Sequence, residues 1–270
     1  MGALPHGIGG GRPKTLLFGD TMTRAPSRLE VHAWGAGPRV LLVHGNILNG
    51  PLSWSQQRPL AERWRLEVLN RRGYGQSPPT ERQDFAVDAR DIVGLLADGA
   101  HLVGHSYGGI GALLAAAAWP QAVRSLTVIE PPVFRLAHGH AAADALAEQL
   151  RRLQAAGPAD PAAYADAFVD AVGGGIRLPN PLPRQLDRSV RVLMAGRGPW
   201  EAEVPLATLR GAPFRKLVVS GGHHAGLGAI CDTLAREIAA EHAVIAGEGH
   251  NVPRTGARFN ARLEAFLRAT

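Results

Sequence analysis

The chain has 270 residues, 46% of them hydrophobic, which is enough apolar material for a sizeable core, and carries a formal charge of +6. That charge is almost all arginine and is scattered, with no basic run longer than pairs such as Arg71-Arg72 and Arg151-Arg152 and no interleaved aromatics, a pattern that excludes a nucleic-acid interface. No apolar run approaches the ~20 residues of a membrane helix, and Cys231 is the only cysteine, which excludes an intramolecular disulfide and fits a reducing compartment.

Met1 to Pro13 is glycine-rich and polar and reads as a loose tail. It has no secretory pattern, and His6 stands where a myristoylation signal needs Ser or Thr, so a cytoplasmic protein is expected. Leu29 to Trp34 alternates weakly and predicts an antiparallel edge strand. Val40 to Val43 is continuously apolar, as in a strand buried on both faces of a parallel sheet. Trp54 to Trp64 predicts a helix, and Leu66 to Leu69 the next strand. Phe85 to Ala97 sets Val87, Ile92, Leu95 and Leu96 at helical spacing. The short apolar run His101-Leu102-Val103 reads as a strand, Ile110 to Ala118 as a helix packed on a sheet, and Leu126 to Ile129 as a further buried strand. This repetition implies an α/β fold with a mostly parallel sheet between helices.

From Phe134 to Pro213 the rhythm stops. Helices are predicted over Ala141 to Ala156, ended by Gly157-Pro158, and over Pro161 to Val172, closed by Gly173-Gly174-Gly175. A third spans Arg184 to Ala195, beyond a rigid connector from Leu178 to Pro183. Strand and helix then alternate again at Leu217 to Val219, Gly228 to Ala239, Ala243 to Ile245 and Ala257 to Arg268. Residues 1–133 and 214–270 are thus the expected core, and 134–213 an all-helical insertion.

Between the strand at His101 and its helix stands Gly104-His105-Ser106-Tyr107-Gly108-Gly109, a G-x-S-x-G-G pattern. A serine between glycines at such a junction occupies a tight, strained turn that lifts its hydroxyl clear of the sheet. The stretch resembles the nucleophile elbow of the α/β-hydrolase fold family. Three other stretches carry the same resemblance: His44-Gly45-Asn46-Ile47, Arg72-Gly73-Tyr74-Gly75-Gln76-Ser77-Pro78, and Gly247-Glu248-Gly249-His250-Asn251. It extends from about Leu29 to Leu267 and implies an eight-stranded-type sheet with flanking helices. It also implies that 134–213 is a helical lid shaping the pocket and excluding water.

The resemblance implies a role for each motif. Ser106 is the nucleophile; an alcohol is weak at neutral pH, so it needs a base and the base an orienting acid. His250, in the late glycine-flanked loop, is the implied base. The acid of most members follows the strand at Leu217 to Val219, yet Ser220-Gly221-Gly222-His223-His224 stands there, with no carboxylate before Asp232. The family's second position, at the end of the preceding strand, is occupied by Glu130 in Ile129-Glu130-Pro131-Pro132. Glu130 is the expected acid and Asp232 the alternative. The backbone N–H groups of Tyr107 and Asn46 are the implied oxyanion donors, with His44 and His105 as supporting residues. His223 and His224 read either as pocket residues or as a solvated loop. Phe134, Phe168, Leu182 and Trp200 either line an apolar pocket or pack the insertion on the core.

No H-E-x-x-H or Cys/His cluster and no G-x-x-x-x-G-K-[ST] is present, so neither metal nor other cofactor is expected. The implied function is serine-dependent hydrolysis of an ester, thioester or lactone through an acyl-enzyme. A carbon–carbon bonded diketone fits the same machinery, and the expected partner is a small-molecule acyl substrate. Acyl transfer or cyclisation on the same residues, and non-catalytic binding, are the alternative readings.

Overall fold

A computed structural model describes residues 28–97 and 99–270; the Met1–Pro13 tail lies outside them. Seven strands are found among the described residues: β1 (Val31–Trp34), β2 (Arg39–Val43), β3 (Arg65–Leu69), β4 (Ala100–His105), β5 (Val123–Ile129), β6 (Arg215–Ser220) and β7 (Glu241–Val244). They form one sheet in the order β1-β3-β2-β4-β5-β6-β7. Only β1 runs antiparallel, against β3. The helices are α1 (Gly50–Ser53), α2 (Phe85–Leu96), α3 (Tyr107–Ala118), α4 (Ala141–Ala156), α5 (Pro161–Val172), α6 (Arg184–Met194), α7 (Leu206–Gly211), α8 (Ala225–Glu237) and α9 (Ala257–Arg268).

The continuous apolar runs become the central strands because both faces of a parallel sheet are covered. Alternate side chains feed opposite layers. Leu41, Val43, Leu102, Leu126, Val128 and Val218 pack with apolar residues of α2, α3, α4 and α8. Val40, Leu42, Val103, Leu217 and Val219 meet Phe259, Leu263 and Phe266 of α9, with Trp54 and Trp64, on the other face. Each such fully buried Leu or Phe contributes roughly 1.5–3 kcal/mol.

One predicted helix is corrected. Trp54 to Trp64 is not an α-helix; Ser55–Glu62 winds as a 3-10 helix around Pro59. Proline has no N–H to donate and its ring crowds the preceding turn, so the regular ladder cannot form. The short helices α1 and α7 fall in stretches that carry no helical spacing.

No strand occurs within 134–213; α4, α5 and α6 follow β5 in the chain and precede β6. Asp160 caps α5 by accepting from Ala163 N–H at 2.9 Å, Pro161 occupies its first turn, and Gly173 ends it in the left-handed conformation. Tyr164, Ala165 and Val169 of α5 and Val190 and Leu193 of α6 form a separate cluster with Ile47, of the loop after β2. The inserted helices therefore sit over the carboxyl ends of the strands, where open α/β sheets bind ligands.

Candidate active site

Ser106 links β4 to α3 with φ 51° and ψ −126°. A non-glycine residue pays about 1–3 kcal/mol for such a conformation, and the surroundings must hold it there. They do. Ser106 N–H donates to the Ile129 carbonyl at 2.8 Å, and Gly109 N–H donates to the Ser106 carbonyl at 2.8 Å. A Cβ on Gly108 would lie 2.2 Å from the His44 carbonyl, so only glycine admits this packing.

Three of the predicted residues meet at this turn. His250 Nε2 lies 2.8 Å from Ser106 Oγ, and its Nδ1 lies 2.7 Å from Glu130 Oε2. All three side chains are buried. A carboxylate only accepts, so the imidazole hydrogen sits on Nδ1 and Nε2 is free to take the serine proton. Glu130 itself has φ 43°, with its N–H bonded to the Val219 carbonyl at 2.9 Å. Its Oε1 accepts from Gly221 N–H at 2.7 Å. Burial pushes the Glu130 carboxyl up, but the His250 hydrogen bond and charge, with Gly221 and His223, hold it below the usual carboxylate range. Asp232 is elsewhere: it projects from α8, 66% exposed, and pairs with His242 at 2.9 Å.

The other histidines of the site are structural. His105 donates from Nε2 to the His250 carbonyl at 2.9 Å. His44 Nε2 accepts from Arg71 N–H at 3.1 Å, and its Nδ1 lies 2.8 Å from the Gly45 carbonyl. Burial, and then the neighbouring His250, lowers the His105 pKa to about 3. Burial and then Arg71 lower that of His44 well below its ordinary value. Both are neutral when folded, and the unfolded chain binds more protons below 6.5, so stability falls as pH drops from 6.5 toward about 3. Glu130 acts in the same direction at lower pH: its contribution is lost as pH falls through its depressed value. The urea midpoint is expected to be lower at about pH 5 than at about pH 7, and His105→Gln to narrow that gap. Equal midpoints would contradict buried neutral histidines.

The loop bearing Asn46 is pressed onto the serine: a Cβ on Gly45 would lie 2.9 Å from Ser106 Cβ. Tyr107 is the first residue of α3, so its N–H has no partner inside the helix. Arg71, unremarked in the sequence except as half of an arginine pair, is fully buried beneath this loop. Its Nη2 donates to the Gly45 carbonyl at 2.7 Å and to Asn46 Oδ1 at 3.1 Å, and its Nη1 to Asp88 Oδ2 at 2.6 Å. Its place at the end of β3, directly before the glycine turn, was the available signal.

Two cavities of about 40 Å³ each meet at Ser106 and His250. The first is walled by Phe134, Leu146, Leu150, Phe168, Leu193 and Trp200, with Gln83, Gln154 and Arg197 as polar points. The second is lined by Ile47, Leu48, Val169, Ile176, Asn251 and Arg254. Phe134, Phe168 and Trp200 thus line a cavity, whereas Leu182 packs against the Ile47–Tyr164 cluster. Tyr107 Oη donates to the Arg197 carbonyl at 2.9 Å, which ties the elbow to the segment after α6.

A family model described as alpha/beta hydrolase fold matches residues 38–195, more than half of the sequence. The chain belongs to the alpha/beta hydrolase fold family. It is 30% identical over 203 residues to a pimeloyl-(acyl-carrier protein) methyl ester esterase of Methylococcus capsulatus, covering 72% of this chain and 69% of that protein. Its similarity to the esterase of the same name from Aeromonas salmonicida is 34% over 109 residues. That match takes in 39% of this chain and 43% of the relative, so the chain spans less than half of that relative's length. Among solved structures, a thermophilic esterase from Thermogutta terrifontis superposes with a TM-score of 0.68 at 22% identity, over 89% of this chain and 93% of that one, a likeness of fold.

Proposed function

We propose that the protein is a serine hydrolase that cleaves a carboxylic ester or thioester of a small, largely apolar substrate through an acyl-enzyme. The observation that carries this reading is the relay from Ser106 Oγ through His250 to Glu130, at 2.8 and 2.7 Å. His250 takes the Ser106 proton as Oγ attacks the acyl carbon. Glu130 stabilises the imidazolium, and the N–H groups of Tyr107 and Asn46 hold the developing oxyanion. His250 then protonates the leaving group and activates the water that releases the acid. The route draws only on side chains, backbone amides and water.

The two cavities give the substrate two arms. The aromatic and aliphatic one takes the acyl part, and the one ending at Arg254 takes the leaving group. Residues 134–213 act as the lid over both, since they supply most of the apolar wall of the first cavity and Phe168, Val169, Val172 and Ile176 of the second. The names of the Methylococcus and Aeromonas relatives, both methyl ester esterases, support ester chemistry. A cytoplasmic location belongs to the same reading, supported by the lone, buried Cys231.

The test is a fluorophosphonate probe read by intact mass. One adduct is expected on the native protein, and Glu130→Gln is expected to label roughly 10²- to 10⁴-fold more slowly, because an amide no longer holds the productive tautomer. Labelling of Glu130→Gln at the native rate would remove Glu130 from the acid's role. A folded native protein that takes no label would sink the mechanism.

A further inference from the structure

The loop between β6 and α8 has no carboxylate, and its two histidines point to different tasks. His224 Nδ1 caps α8, accepting from Gly226 N–H at 3.0 Å. His223 turns into the site. Its Nε2 lies 2.9 Å from the Val172 carbonyl, and its Nδ1 3.5 Å from Glu130 Oε1. A carbonyl only accepts, so the ring hydrogen is on Nε2. The ring is wedged in place: a Cβ on Gly173 would stand 2.6 Å from its Cδ2, and one on Gly221 2.9 Å from its Nδ1.

The next two carbonyls of the same turn are also taken. Gly173 O accepts from His250 N–H at 3.0 Å, and Gly174 O from Asn251 Nδ2. Three successive carbonyls at the end of α5 are therefore held by three residues around the relay. Further up the same helix, Tyr164, Phe168 and Val172 wall the cavity beside Ser106. The end of α5 is thus bonded to the loop that carries the histidine, and through His223 it abuts the acid.

We propose that His223 is a positioning residue, a second imidazole beside Glu130 that ties the acid to the last turn of α5. This rests on the reading of Glu130 as the acid. Seating of α5 and alignment of the Glu130–His250 pair are then a single event. When α5 is seated, His223 shields Oε1 from solvent, leaving Oε2 to His250. The titratable groups facing the ring are Glu130, His250 at 6.4 Å and His224 at 6.2 Å between ring centroids.

Steady-state kinetics on an activated ester, with fluorophosphonate labelling and thermal midpoints, test this in His223→Ala, His223→Gln and His223→Asn. Gln places an amide N–H where Nε2 stands and reaches Val172; Asn is too short. His223→Ala is expected to lose about tenfold in kcat/KM, the order expected for one lost hydrogen bond. Gln is expected to restore it to within about twofold, and Asn not to. Equal losses in all three variants, tracking their thermal midpoints, would reduce His223 to a packing residue and overturn the proposal. So would native labelling rates in His223→Ala. Absence of labelling in the native protein would overturn the serine-hydrolase reading, and this inference with it.

Discussion

Ser106→Ala is expected to lower turnover of an ester substrate by about 10³- to 10⁶-fold and to abolish the fluorophosphonate adduct. The change removes the single oxygen that His250 Nε2 faces at 2.8 Å and leaves the rest of the relay in place. It should cost little stability. Alanine meets the same backbone strain as serine at φ 51°, and the bonds to Ile129 and from Gly109 are backbone bonds that survive. The unfolding free energy from urea denaturation is therefore expected to stay within about 0.5 kcal/mol of native. Near-native turnover in this variant would exclude Ser106 as the nucleophile. Lost turnover together with a collapsed midpoint would place the residue in the fold instead of the chemistry.

Arg71→Met is expected to have the largest effect on stability, a loss of about 3–5 kcal/mol. It strands the Asp88 carboxylate, which is buried and accepts from Arg71 Nη1 at 2.6 Å. Burial pushes Asp88 up even with the guanidinium beside it, so without Arg71 it must stay neutral or unpaired. Arg71→Met also frees the Gly45 carbonyl and the Asn46 side chain, so the loop bearing Asn46 loses its fixed position. The two effects separate in the double variant Arg71→Met/Asp88→Leu. Replacing both partners of a buried pair by apolar groups recovers most of the stability, but kcat is expected to stay low because the loop is still unheld. Urea denaturation and kcat on the native protein and both variants give the answer. An Arg71→Met protein as stable and as active as native would contradict both roles.

Much of the fold is readable from the chain because its signals are local. The run Val40 to Val43 is apolar without interruption and Leu126 to Ile129 apolar but for Thr127, the pattern of strands covered on both faces. Helices α4 and α5 are bounded by Gly157, by the Asp160-Pro161 start and by Gly173, and each boundary is a capping residue. Trp54 to Trp64 misleads because its apolar spacing is helical while one residue, Pro59, forbids the ladder. Within the site, Ser106 and His250 stand in motifs, whereas Glu130 stands out only against a family pattern. The Arg71–Asp88 pair and the opposite orientations of His223 and His224 leave no trace in spacing. They depend on how α2 lies under the sheet and on which way one loop turns.

The relay joins Ser106 to a histidine 144 residues further along the chain and to a glutamate 120 residues before that histidine. During synthesis Ser106, Glu130 and helices α4, α5 and α6 leave the ribosome before His250 is added to the chain. Contacts of such long sequence separation form late, after the loops between them have closed. A growing chain therefore holds Ser106 and Glu130 without the histidine that joins them, and the three side chains meet only when β7 has joined the sheet and the loop behind it folds back over Gly173.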